Sequence, residues 1–266
     1  MDQESCAARR VSELRLEIGR DGRHRSYVET PWKIFGPVYH PHDAGVNAWD
    51  KDPAYFLSNT TAGILAGDNL SAEIEVDDNV ATQIITPAAT KIFSMPHGSA
   101  AQKIDFHLKP GARLYYHGNQ LIPYRNANYR QSTEYRLDDN AALIAMDFFA
   151  PGRIAGEEAF AFRKVRIRTR VYLKERLLLD DRIFVDGGKA EDFMRPGIFG
   201  VRDSLVMGTL IIVAGLSIKN KLNELCIGER VQYTMPEPNL LVGRALTKSV
   251  QEAEGYFKDA IRSVFI

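Results

Sequence analysis

Cysteine is almost missing from this chain. Cys6 and Cys226 stand far apart, with no Cys-x-x-Cys pair and no framework spacing, which argues against a disulfide scaffold and points to a reducing compartment. No excess of one charge is present either: 34 lysines and arginines balance 34 aspartates and glutamates, so nothing global draws the chain to nucleic acid or to a membrane surface. Long apolar runs are absent. The longest, Leu205 to Leu216, is interrupted by Gly208, Thr209 and Gly215 and is too short to cross a bilayer, and the opening MDQESCAARR lacks the apolar stretch of an export signal. The expectation is a soluble, cytoplasmic protein. Enzyme signatures are missing as well: there is no Gly-x-Ser-x-Gly, no phosphate-binding Gly-x-x-x-x-Gly-Lys-Ser/Thr, no His-Glu-x-x-His and no Gly-x-Gly-x-x-Gly.

Apolar residues make up 45% of the 266, enough for a sizeable core, and a β-rich chain of this length often forms one unit. A single domain over 1–266 is expected, with residues 1–10 frayed. The dominant pattern is alternation. Leu14, Leu16 and Ile18 lead into Gly19-Arg20-Asp21-Gly22 and then Tyr27-Val28, a β-hairpin signal. Residues 30–53 hold Pro31, Pro37, Pro41 and Pro53 and are expected to form an ordered loop, before Tyr55 to Thr60 resumes as a strand.

The central stretch, Ala62 to Lys91, reads as strand, tight turn and strand, with Ile74 and Val76 on one face and Glu73 and Glu75 on the other. This unit recurs. Val76-Asp77-Asp78-Asn79, Leu108-Lys109-Pro110-Gly111 and Leu137-Asp138-Asp139-Asn140 each end one alternating run and begin another, 32 and 29 residues apart. Such periods predict stacked hairpin-like layers, with an ordinary meander sheet as the alternative. Val165, Ile167, Thr169 and Val171 alternate with arginines, and a further strand follows over Leu177 to Val185; residues 219–239 give no firm pattern. Only Thr247 to Phe265 has helical periodicity, with Thr247 or Ser249 as cap and one apolar face for the sheet or a partner.

Several residues could carry chemistry. Asp147 lies among apolar neighbours, where a carboxylate is costly unless paired, and Arg153 is the nearest candidate partner. His40 and His42 flank a proline, and His97, His107 and His117 recur at ten-residue intervals; imidazoles suit nickel, copper or zinc, yet scattered solvent-facing histidines account for them more simply. Asp147 with Glu157 could also serve as the paired carboxylates of a carbohydrate hydrolase.

Four stretches in register are similar to one family. Ala62-Gly63-Ile64-Leu65-Ala66-Gly67-Asp68, Thr82 to Lys91 (TQIITPAATK), Leu121-Ile122-Pro123-Tyr124 and Gly152 to Phe160 (GRIAGEEAF) resemble the urease accessory protein UreD family, called UreH in some organisms, over roughly residues 10 to 265. The resemblance implies a mainly β, elongated fold of stacked layers like a β-helix, with few helices besides the C-terminal one. It implies a non-enzymatic scaffold and metallochaperone that docks on the urease apoprotein and on the accessory proteins UreF and UreG, and leaves open a homodimer formed through that complex. The family is thought to pass nickel through a polar-lined interior tunnel, so a transient nickel ion, with no tightly bound cofactor, is implied. Asp68, Thr86, Asp147 and Glu157 become candidate nickel-passage residues, and Gly67, Thr90, Lys91 and Arg153 further motif positions. A protein-binding module with no metal role is the remaining alternative. A cation that must be released is better served by a few hydroxyl and carboxylate oxygens than by a closed thiolate cage.

Overall fold

The computed structural model describes residues 10–39, 51–156, 158–189, 206–214, 225 and 228–265. Their strands form two sheets. The first runs in the order β13 (Arg176–Asp186), β12 (Lys164–Leu173), β10 (Asn128–Leu137), β8 (Ala100–Leu108), β5 (Asn69–Val76), β1 (Val11–Ile18), β2 (His24–Val28). The second runs β15 (Val231–Glu237), β16 (Leu240–Thr247), β14 (Val206–Val213), β11 (Ala142–Phe149), β9 (Arg113–Pro123), β6 (Ala81–Ile85), β4 (Ala54–Asn59), β3 (Trp32–Val38), with the short β7 (Thr90–Ile92) also beside β9.

The repeat is present, but its units are not hairpins. The two strands of each unit go to different sheets, and each pairs in parallel with its counterpart in the next unit: β5 with β8 and β8 with β10 in one sheet, β6 with β9 and β9 with β11 in the other. Ile74 thus sits beside Phe106 and Val76 beside Leu108. A period-2 strand offers one apolar face, and here the two strands of a unit press those faces together across the core. The result is a solenoid-like stack.

The turns explain the regular repeat. Asn79, Gly111 and Asn140 occupy the same place in the three corners and share positive φ values of 58°, 71° and 57°, a conformation that asparagine and glycine tolerate best. Each corner is closed by a local bond, such as Val80 N–H to the Asp77 carbonyl and Ala112 N–H to that of Lys109. The corners also bond to one another: Asn79 N–H donates to the Pro110 carbonyl and Gly111 N–H to that of Asp139. The parallel ladder therefore continues around the bend, which fixes the register of both sheets together.

The chain opens with the expected antiparallel hairpin, β1 with β2. Residues 32–38 are a correction: this proline-containing segment is the edge strand β3, paired with β4 on one side only. An edge strand tolerates Pro37 because one of its sides needs no ladder bonds. Residues 40–50 lie outside the described residues. The helix α1 (Val250–Phe265) begins after β16, three residues later than the pattern's start, and Ser249 caps it by accepting the Glu252 N–H at 3.2 Å while the Glu252 carboxylate accepts the Lys248 N–H at 3.0 Å.

Two cores result. The larger lies between the sheets and includes Leu14, Ile74, Phe106, Tyr135, Leu143 and Ile211. The smaller lies on the outer face of the second sheet, where Ala253, Phe257, Ala260 and Ile261 of α1 cover Ile144, Met146, Leu210 and Ile212. The apolar run noted in the sequence is accounted for by β14, which contributes Ile211 and Val213 to one core and Leu210 and Ile212 to the other. Among the described residues no helix is long and apolar enough to cross a membrane.

Candidate functional site

At two neighbouring levels the apolar filling between the sheets gives way to polar side chains. In the first sheet Gln102 lies beside Gln131, and Thr133 beside Thr169 and then Asp181. In the second, Asp147 lies beside Thr209 and Thr209 beside Arg244. The two polar rows of the first sheet lie two residues apart along the strands, Gln131 being followed by Ile167 and Thr133 preceded by Ile104, so they occupy neighbouring inward positions. A cavity of about 40 Å³ opens here, lined by Gln102, Gln131, Thr169 and Asp181 from one sheet and by Thr86, Asn119, Asp147 and Thr209 from the other. That is room for a few water molecules. A second cavity of about 60 Å³ shares Thr86, Thr90 and Gln102 and reaches Asn59, Thr61 and Lys91. Two of the residues that line it carry buried polar atoms, Trp32 Nε1 and Asn59 Nδ2, with no hydrogen-bond partner among the described residues, so the interior here is suited to water or a polar guest rather than to dry packing.

Asp147 is the central group. The expected pairing with Arg153 does not occur: Arg153 forms a two-pronged pair with Glu158 at 2.9 and 2.7 Å and lies over the ring of Tyr124. No partner to the Asp147 carboxyl is present among the described residues. It lies deep in the molecule, and the surface it retains faces the cavity. Burial pushes its pKa up to about 7. Desolvation first, and the Asp147 charge second, hold the buried phenols of Tyr116, Tyr129 and Tyr135 well above their ordinary range.

A bulge makes the space for this carboxyl. Met146 pairs with His117 and Phe148 with Gln120, so Gly118 and Asn119 together oppose Asp147. A Cβ on Gly118 would overlap Asp147 Oδ1 and stand 2.9 Å from the Met146 carbonyl oxygen. Thr86 fixes the bulge: its hydroxyl accepts the Asn119 N–H at 2.6 Å and donates to the His117 carbonyl at 3.2 Å, and its own carbonyl accepts from Asn119 Nδ2.

The other sequence candidates lie elsewhere. Asp68 is buried in a turn entered through Gly67 (φ 88°), pairs with Arg10 at 2.5 Å and accepts the Leu65 N–H; it borders a surface groove with His97 and Arg130 rather than the cavity with Asp147. Thr90 lines both cavities, and the exposed Lys91 only the second. Glu157, His40 and His42 lie outside the described residues. The remaining histidines do not converge. His97 is exposed and His107 faces solvent near Glu75 and Asp138, while His117, expected to face solvent, is tucked under α1 with its Nε2 3.0 Å from Glu254. That contact, and Lys258 after it, hold the Glu254 carboxyl below its usual range. No group of three or more histidine, cysteine or carboxylate side chains that could hold a metal occurs among the described residues.

Sequence reasoning missed Gly118, Asn119, Asp181, Thr209 and Arg244. The signal for two of them was readable: Thr209 in VMGTLIIV and Arg244 in LLVGRALT are lone polar residues at inward positions of apolar strands.

Comparison with known proteins bears on what such an interior serves. Residues 10–265 match the family model for the UreD urease accessory protein. The chain is 39% identical over 142 residues to urease accessory protein UreD of Opitutus terrae, covering 52% of each chain. It is 31% identical over 184 residues to that of Actinomyces naeslundii, covering 68% of this chain and 65% of the relative, and 29% identical over 171 residues to that of Acetivibrio thermocellus, covering 64% and 63%. These alignments thus span between about half and two thirds of the relatives' length. By the match along nearly all of its length, the chain belongs to the UreD urease accessory protein family.

Proposed function

We propose that this protein acts in urease maturation as a non-enzymatic scaffold that docks with the urease apoprotein and with the accessory proteins UreF and UreG, and that nickel passes through its polar interior on the way to the urease site. The supporting observation is the Asp147 carboxyl, without a partner among the described residues, facing a polar-lined cavity between the sheets. A carboxylate in that position lowers stability, so its presence calls for a role other than holding the fold. The donors around it are carboxylate, hydroxyl and amide oxygens, which hold a divalent ion weakly enough for release. Nickel is here the cargo, held only in transit. The hydrolase alternative fits poorly, since a cavity of about 40 Å³ has room for a few waters and none for a sugar ring.

The test is co-expression of the urease structural genes and the remaining accessory genes with this gene, without it, and with Asp147→Asn, at limiting nickel. Urease activity is expected to depend on this gene and to fall at least fivefold with Asp147→Asn, while the variant is still recovered with its partners. Full activity without the gene would overturn the maturation role, and full activity with the variant would overturn the passage.

A further inference from the structure

The cavity is closed at one end by a charged pair that the fold does not require. Arg244, on β16, bonds at once to Asp181 of the opposite sheet and to the Thr209 hydroxyl of its own. Asp181 and Thr209 both line the cavity; Arg244 does not, and stands beyond them. Its side chain is 31% exposed and that of Asp181 20%, while Thr209 is buried, so the pair stands between the cavity and solvent. It does so along the seam where the first sheet ends at β13 while the second continues through β14 and β16. Farther along that seam Arg176 of β13 reaches Glu237 of β15 at 3.3 Å.

The neighbours of the pair sharpen the point. Inward positions of β16 are Leu240, Val242, Arg244 and Leu246, and those of β13 next to Asp181 are Leu179 and Ile183. Apolar residues would complete both columns, and partly buried ion pairs can often be replaced by well-packed apolar ones without loss of stability. A guanidinium in this place has a specific electrostatic effect. It is a fixed cation with donors only, so it neutralises Asp181 and repels any cation approaching the mouth from either side.

We propose that Arg244 is the gate of the cavity: its guanidinium is the resident counter-ion of Asp181, and a divalent cation passes this end only when it takes the Asp181 carboxylate in place of Arg244. The proposal rests on the passage reading above. Movement of one long side chain suffices, since the walls are ladder-bonded strands. With Arg244 withdrawn, the cation meets the Asp181 carboxylate and the Thr209 hydroxyl, with Asp147 next to Thr209 in the adjoining strand.

Titration of the purified full-length protein with nickel chloride, followed by equilibrium dialysis, tests the gate. Arg244→Gln is expected to bind one Ni²⁺ at least tenfold more tightly than the unchanged protein, and Arg244→Gln with Asp181→Asn is expected to lose that gain. Equal affinity of Arg244→Gln and the unchanged protein, or a gain that survives loss of Asp181, overturns the gate. Should Arg244→Gln fail to fold, the sealing variant Arg244→Leu with Asp181→Leu takes its place. It is expected to keep its circular dichroism and melting temperature and to activate urease at least fivefold less well at limiting nickel; full activation through a mouth sealed by leucines would overturn the proposal. Asp147→Asn separates the two ideas. If it activates normally, passage and gate fall together; if it is impaired while Arg244→Gln binds nickel like the unchanged protein, the gate alone falls.

Discussion

Replacing Asp147 by asparagine should make the protein more stable and less useful. The carboxyl pKa rises from the model-compound value of 3.8 to about 7 in the fold, through burial with no compensating partner. Because the folded-state pKa is the higher, the folded protein binds the extra proton between these values, and stability falls as pH rises from about 4 to about 7. Below that window Asp147 is neutral in both states and carries no penalty. Above it the penalty is complete. Three pKa units at about 1.4 kcal/mol each set a ceiling of about 4 kcal/mol, and solvation by the polar cavity reduces this to roughly 2–4 kcal/mol. For a chain of this size each kcal/mol moves the melting temperature by about 2–4 °C. Thermal denaturation of the unchanged protein and Asp147→Asn at pH 8 should therefore differ by on the order of 10 °C in favour of the variant, and the gap should close by about pH 4. A variant less stable at pH 8, or a gap independent of pH, would refute the reasoning and place a hidden cation beside Asp147.

Other substitutions probe the rest of the frame. Gly118→Ala drives a methyl into the Asp147 carboxyl and the Met146 carbonyl and should cost about 1–3 kcal/mol in urea denaturation, part of it recovered when Asp147→Ala is added. Asn140→Val places a β-branched residue at a φ of 57° and should cost at least about 1–2 kcal/mol, whereas Asn140→Gly should be close to neutral by the same measurement. Phe257→Ala removes the fully buried anchor of α1 and should cost about 3–5 kcal/mol, while Ser249→Ala, which removes only the cap, should cost about 1 kcal/mol; equal losses from the two would mean that the helix is held by its start rather than by its face.

What could be read in advance was whatever depends on period and local chemistry. Alternation gave Ile74 and Val76 their common face, and the Asp-Asp-Asn and Lys-Pro-Gly triplets gave the turns. Which strands pair was less legible. A left-handed asparagine after two aspartates bends the chain equally well into a hairpin or into a corner between sheets, and only contacts some 30 residues away, such as Ile74 beside Phe106, decide between them. Trp32–Val38 was hidden for a related reason, since Pro37 forbids a central strand but not an edge. In the site, Asp147 stood out as a carboxylate among apolar neighbours. Its solitude did not, because Arg153 is close in sequence yet turned to Glu158 and Tyr124. Arg244 was readable as a lone charge in an apolar strand, but its link to Asp147 was not, since the two are nearly a hundred residues apart and are brought to one level only by two successive antiparallel registers.

The stack also explains why the polar interior takes the form of a belt. In an ordinary sandwich a single inward polar residue is an isolated defect that must find a partner by chance of packing. Here corner-to-corner bonds such as Gly111 to Asp139 lock successive layers in register, so a polar residue at one level of a strand lies beside the same level of the next. Gln102 with Gln131 is a consequence of that lock, and the antiparallel pairing of β11 with β14 then sets Thr209 beside Asp147. Each polar side chain then lowers the desolvation cost of the next, since they share one polar region instead of several separate apolar surroundings. The apolar levels above and below keep the walls rigid. On the passage proposed above, an ion would exchange one weak oxygen ligand for another without any strand having to open, and its selectivity would then be set at the ends of the polar region, of which the one the structure defines most sharply is Arg244.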